Sequence, residues 1–293
     1  GLFTVLYPEG GAGGTFLRRV ETEEELSLDK IIDSGQCFRP LRLSSGLYRF
    51  IKGREILYIR PERGEREFLV SCSREKWERI WAEYFDLRRS YRKLLRGIPE
   101  EDSYLRRAEA FGRGIRVLRQ DPFEVLISFI ISQRKSIPAI RGCIEKLSAR
   151  CGRSVRTPYE EEPVFLFPSP ESIAALSEEE LRKLGLGYRA PYLRDAAERT
   201  LRGELSAERL SALPTERLCE ELLRTRGVGR KVADCVLLFG YGRTERAPID
   251  VWIRRTIEER YLGEDPFPSL PEPGILQQYL FYYAIFHREE FGR

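Results

Sequence analysis

Arg226-Gly227-Val228-Gly229-Arg230-Lys231-Val232-Ala233-Asp234-Cys235, with Asp250 nineteen positions beyond the lysine, is the stretch that decides the fold. Gly227 and Gly229 mark a tight turn, where the backbone can take a positive φ or come close to a ligand. The apolar run from Lys231 to Phe239 predicts a buried helix. Lys231 falls in its first turn, and Cys235 and Phe239 share its face at i+4 and i+8. The free N–H groups of that turn carry partial positive charge, which disfavours an ammonium, and burial is expected to push the same way. An uncharged amine is what a Schiff-base lysine needs. The same N–H groups suit a phosphate. Asp250, in Pro248-Ile249-Asp250-Val251-Trp252-Ile253, sits where a helix N-cap belongs. Alone, these residues equally fit a plain glycine turn, a surface lysine and a capping aspartate.

The rest of the composition narrows the chemistry. At 293 residues the chain can hold one large or two modest domains. With 33% charged and 42% hydrophobic residues it reads as soluble and globular. The net charge of +4 and pI near 8.7 permit nucleic-acid binding without demanding it. No apolar run approaches the roughly 18 residues of a membrane span. Gly1-Leu2-Phe3-Thr4 lacks the basic segment and long apolar core of a signal peptide. Cys37, Cys72, Cys143, Cys151, Cys219 and Cys235 form no CxxC pair, so free thiols and a cytoplasmic setting are expected. His287 is the one histidine, a poor start for a histidine metal site or a Ser/His/Asp triad. Lysine and carboxylates are left to carry any chemistry. Methionine is absent, where several would be ordinary.

Along the chain, Gly1 to Gly14 is glycine-punctuated and expected to be partly flexible. A short helix over 26–34 ends at Gly35. Strands are predicted over 47–52, 55–60 and 67–72, then a helix over 75–85 with Trp77, Ile80, Trp81 and Tyr84 at core spacing. That predicts an antiparallel sheet with a helix packed on it, in a domain of residues 1–98 that ends near Gly97-Ile98-Pro99. Residues 99–293 read as helical. Helices are predicted over 122–133, where Pro122 follows a capping Asp121, and over 137–151, 178–184, 189–202, 216–226, 230–240, 250–261 and 275–286. Pro266, Pro268, Pro271 and Pro273 make a loop before the last.

With Asp250, the run from Leu222 to Cys235 resembles the helix-hairpin-helix DNA glycosylases, specifically the bifunctional 8-oxoguanine DNA glycosylases. Ser34-Gly35-Gln36-Cys37-Phe38-Arg39, Leu118-Arg119-Gln120-Asp121-Pro122 and Leu184-Gly185-Leu186-Gly187-Tyr188-Arg189 resemble the same family and occur in its order. The matches span about Leu26 to Phe281. The resemblance implies an α+β protein: an N-terminal antiparallel-sheet (TATA-binding-protein-like) domain, then an all-helical helix-hairpin-helix glycosylase domain, with the active site in the cleft between them. It implies a monomer acting on double-stranded DNA that contains 8-oxoguanine, nucleoid-associated in a prokaryote, needing no metal or organic cofactor. Some relatives carry an iron–sulfur loop of four cysteines near the C-terminus; this chain has no cysteine after Cys235.

The resemblance also implies roles. A base inside a duplex must be flipped out to be reached. Lys231 would then attack the sugar C1′ and form an imine, and Asp250 would stabilise positive charge developing on the sugar. The carbonyl of Gly35 would accept from the N7 hydrogen that 8-oxoguanine has and guanine lacks. Gly35 reads equally as a helix C-cap glycine. Gln277 would read the Watson–Crick edge, Phe281 would stack on one face of the base and Cys235 would cover the other. Gln278 and Tyr282 offer a one-residue slip of that register, and Phe281 also suits a plain core position. Tyr188 would be the wedge, Arg189 the reader of the orphaned cytosine, and Gly227 and Gly229 the phosphate-gripping hairpin.

Ser132-Gln133-Arg134-Lys135-Ser136-Ile137-Pro138-Ala139 departs from the family pattern. Arg134 stands where a gap-filling asparagine is common, and Ala139 where an arginine helps specify cytosine. A weakened opposite-base preference is expected. Trp252 replaces a histidine of the animal enzymes, which puts one phosphate contact in doubt. Two rival readings stay open at this point: a monofunctional alkylated-purine glycosylase, against which Lys231 argues, and a non-catalytic helix-hairpin-helix DNA-binding protein.

Overall fold

The computed structural model describes residues 3–6 and 16–292. Six strands, β1 (Phe3–Leu6), β2 (Leu17–Glu21), β3 (Leu41–Arg42), β4 (Tyr48–Lys52), β5 (Glu55–Arg63) and β6 (Glu67–Val70), form one sheet in the order β1-β2-β6-β5-β4-β3. Every pairing is antiparallel. Of the segment expected to be flexible, Phe3–Leu6 is the edge strand, and residues 7–15 lie outside the described residues.

Alternation decides which side of the sheet is core. The registers Val20↔Phe68, Phe50↔Leu57 and Ile59↔Val70 put these residues on one face. Leu28, Ile31 and Ile32 of the helix Leu28–Asp33 and Trp77, Trp81 and Phe85 pack on that face. The helix predicted over 75–85 runs from Arg74 to Tyr84, with a π-helical turn at Trp77–Trp81. The opposite face is covered from the other half of the chain. A two-stranded hairpin, Ser154–Val155 with Val164–Phe165, lays Val164 and Leu166 on Ile51. Its loop stacks Tyr159 on Tyr58 at 4.5 Å and pairs Glu160 with the buried Arg49 at 2.7 Å. The sequence reading missed this hairpin, because two-residue strands carry no periodicity.

The helical half has its own core, built around the helices Pro122–Ser132, Arg230–Phe239 and Pro273–Phe286. Phe129 stacks on Phe239 at 5.7 Å and locks the first two together. Tyr91 and Leu94 join this core although they precede Gly97, and Leu118 joins the sheet's core although it follows. The predicted helix over 137–151 is found at Ile137–Cys151. The one expected over 216–226 stops at Leu223, and that over 178–184 gives way after Leu181 to a π-helical turn, Arg182–Leu186, with Gly185 at φ +84°. Asp102 caps a helix, Ser103–Gly112, that was not predicted. All six cysteines are free. Among the described residues no helix is long and apolar enough to cross a membrane, and no cluster of side chains is arranged to hold a metal.

Candidate active site

The hairpin begins where the helix Thr215–Leu223 ends. Gly227 has φ +80°, and a Cβ there would lie 2.4 Å from Tyr192, so only glycine fits. Gly229 is extended and caps the helix Arg230–Phe239 with open space around it. It is exposed, so a ligand backbone can approach it. Asp234 anchors the helix from below: it pairs with Arg230 at 3.0 Å and with the buried Arg246 at 3.2 Å.

Lys231, Cys235 and Phe239 share one face and line a cavity of about 650 Å³. Asp250 enters from the next helix, Val251–Arg260, whose N-cap it is: its Oδ1 accepts from Ile253 N at 2.8 Å. Burial raises the Asp250 carboxyl above the ordinary range, opposed by that backbone bond and by the charge of Lys231. The lysine and the acid therefore act on each other across the cavity, yet form no ion pair. The expected burial of Lys231 is not found. Its side chain is exposed, because the first turn of its helix opens onto the cleft while Val232 and Ala233 face the core. No protein wall strips water from this amine.

The base-facing residues converge on the same cavity. The helix Leu28–Asp33 ends on Ser34, and Gly35 follows at φ +75°, as a C-cap glycine should. Gln36 then fixes the turn. Its amide donates to Arg116 O and accepts from Leu118 N, both at 2.8 Å, and its own carbonyl accepts from Gln120. Because Gln120 N bonds Phe239 O at 2.9 Å, the glycine turn is tied to the far end of the lysine helix. Phe281 lies against Gly35, and both line the cavity with Gln277. The slip to Tyr282 is resolved: Tyr282 is buried against Phe111 and Phe286, away from the cavity. Gln277 and Gln278 both line it. Cys235 is buried and its thiol is pushed up to about 12 by desolvation, so it stands as an uncharged, unreactive wall.

Three loops meet at Gln133, which the sequence reading had not singled out. Its amide donates to Gly227 O at 2.8 Å, and its backbone carbonyl accepts from Arg189. Arg189 is buried, with its guanidinium over the Tyr188 ring at 4.3 Å. Tyr188 is 54% exposed and backed edge-on by Tyr192, so a supported ring stands out beside the hairpin. Arg134 is exposed and left-handed, φ +58°. Trp252 lies between Arg255 at 5.0 Å and Arg288 at 5.1 Å. Lys135 and Arg288 also line the cavity. Both were missed, for nothing local to either says where it points.

The comparisons agree with this geometry. Residues 19–126 match the N-terminal domain of 8-oxoguanine DNA glycosylase, and residues 127–269 match the HhH-GPD superfamily of base excision DNA repair proteins. The chain is 34% identical over 212 residues to a probable N-glycosylase/DNA lyase of Methanothermobacter thermautotrophicus, a match covering 66% of this chain and 65% of that one. It is 30% identical over 242 residues to the N-glycosylase/DNA lyase OGG1 of Arabidopsis thaliana, covering 79% of this chain and 66% of the relative. Each match thus spans just under two thirds of the relative. The crystal structure of the Clostridium acetobutylicum 8-oxoguanine glycosylase/lyase, in complex with double-stranded DNA containing cytosine opposite 8-oxoguanine, superposes with a TM-score of 0.86 at 33% identity, covering 93% of this chain and 96% of that one. These matches, to a chain whose antiparallel sheet is followed by a helical hairpin domain with Lys231 and Asp250 at a shared cavity, place it in the 8-oxoguanine DNA glycosylase family.

Proposed function

We propose that the chain is a bifunctional DNA glycosylase and abasic-site lyase that flips 8-oxoguanine out of duplex DNA and excises it through a Schiff base on Lys231. The observation that carries the reading is one cavity shared by a lysine, a helix-capping aspartate, a left-handed glycine and a phenylalanine.

The exposed Tyr188 takes the place of the departing nucleotide in the stack, and the hairpin N–H groups at Gly227 and Gly229 hold phosphate. The base enters between Phe281 and Cys235. The Gly35 carbonyl accepts its N7 hydrogen, and guanine offers only a lone pair there. Lys231 Nζ then bonds to C1′ as the C1′–N9 bond breaks. The electron pair leaves with the base, which takes up a proton. The positive charge on the sugar in transit is stabilised by Asp250. Loss of a proton from nitrogen and opening of the ring give the imine, whose acidic C2′ hydrogen leaves as the 3′ phosphate is expelled. Since Lys231 is exposed in the free protein, the bound duplex is what excludes water from the amine.

Borohydride trapping on an 8-oxoguanine duplex tests this. The wild type gives a covalent protein–DNA adduct, and Lys231→Gln gives none. Tight binding with no adduct in the wild type, or an adduct that persists in Lys231→Gln, refutes it.

A further inference from the structure

The closing helix presents two successive glutamines to the base cavity. Gln277 is 3% exposed and Gln278 2%. Their amide directions follow from one fixed point. The Pro248 carbonyl has no hydrogen to give, so Gln277 must meet it with Nε2, at 2.9 Å. Gln277 Oε1 therefore faces the other way, and accepts from Gln278 Nε2 at 2.8 Å. That bond in turn directs Gln278 Oε1 away from Gln277. Turning either amide over would set oxygen against oxygen.

The relay ends on an unsatisfied atom. Gln278 Oε1 is buried and has no hydrogen-bond partner among the described residues. A buried acceptor without a donor is destabilising, and Gln278 lines a cavity open to a ligand. A group that enters the cavity is one source of the missing donor. Gln277 Oε1 also keeps one lone pair free, so two neighbouring carbonyl oxygens are on offer. A purine with a 6-oxo and a 2-amino group carries two neighbouring donors, N1–H and the 2-amino N–H, on one edge. A purine without the 2-amino group leaves one of the two oxygens unpaired.

We propose that Gln278 is a second base-reading residue, whose side-chain carbonyl accepts from the 2-amino group of the extruded purine. Its amide nitrogen holds Gln277 in the orientation that accepts from N1–H. The proposal rests on the base-excision reading above and makes it specific for 2-amino-6-oxopurine edges.

Single-turnover excision is compared on duplexes carrying 8-oxoguanine or 8-oxohypoxanthine, the same base without the 2-amino group. The wild type is expected to prefer 8-oxoguanine by about tenfold, the worth of one buried hydrogen bond. Gln278→Leu is expected to slow both bases, because Gln277 loses its tether, and to slow 8-oxoguanine by about tenfold more, so that the two rates converge. Trapping on a preformed abasic site, which involves no base, stays at the wild-type level and shows that the variant is folded. A wild type that excises both bases equally overturns the proposal with no variant needed. A Gln278→Leu protein slowed equally on both bases, or with the preference intact, overturns it as well. Absence of any 8-oxoguanine excision by the wild type would instead remove the reading on which it rests.

Discussion

Replacing Gly35 by alanine adds one methyl group at the tightest point of the base cavity. Two costs follow from the structure. At φ +75° the backbone is left-handed, which for an L-residue costs about 1 kcal/mol. The new Cβ would lie 2.7 Å from Phe281 Cε1 and 3.2 Å from Cζ. Ordinary carbon contacts begin near 3.5 Å, so the ring must retreat by roughly 0.8 Å, at a further cost of about 1 kcal/mol. Urea denaturation of Gly35→Ala should therefore show a loss of about 2 kcal/mol. The displaced ring also closes the slot facing Cys235, so excision of 8-oxoguanine should fall by about tenfold or more, while trapping on a preformed abasic site persists. A double-mutant cycle separates the two costs. In a Phe281→Ala background the clash is gone and only the backbone penalty is left, so the same alanine should cost about 1 kcal/mol. An equal cost in both backgrounds, or unchanged excision in Gly35→Ala, refutes the reasoning.

Three further outcomes are expected. Asp250→Asn keeps a good N-cap for Ile253, so stability in urea should change by less than about 1 kcal/mol, while single-turnover excision falls by about 10²–10³-fold because the negative charge is gone. Because Arg134 and Ala139 replace the residues expected to help specify cytosine, excision opposite the four bases should differ only modestly; rates opposite cytosine exceeding those opposite adenine by several orders of magnitude would exclude this. Burial pushes the Glu124 carboxyl up to about 8, so the folded protein keeps a proton that the unfolded chain has released. Its stability should then fall as pH rises from about 4.5 to 8. Glu124→Gln, which stays neutral, should resist urea no better than wild type at pH 4 and better at pH 9; a pH-independent difference would count against it.

Much of this protein was legible in the order of its residues, and the rest was not, for one physical reason. Signals that act over a few residues survive in the sequence. The glycines of the hairpin, the capping aspartates at 121 and 250, and the helical spacing of Lys231, Cys235 and Phe239 were all read correctly as local structure. The charged strand Leu17-Arg18-Arg19-Val20-Glu21 was not, because only Val20 is buried and its partner Phe68 is far along the chain. The same holds for the hairpin that covers the outer face of the sheet.

At the site, residue types came from the sequence and their states from packing. A first-turn lysine beside glycines suggested burial, but whether water reaches it depends on how closely the far wall of the cleft approaches, and Lys231 is left exposed. The register of the closing helix, left open between Phe281 and Tyr282, was settled by which ring meets Gly35. Gln36 holds that glycine by bonds to residues 80 or more positions away. Gln133 joins three loops in the same manner. Propensity and capping are properties of neighbours along the chain, whereas exposure and amide direction belong to neighbours in space.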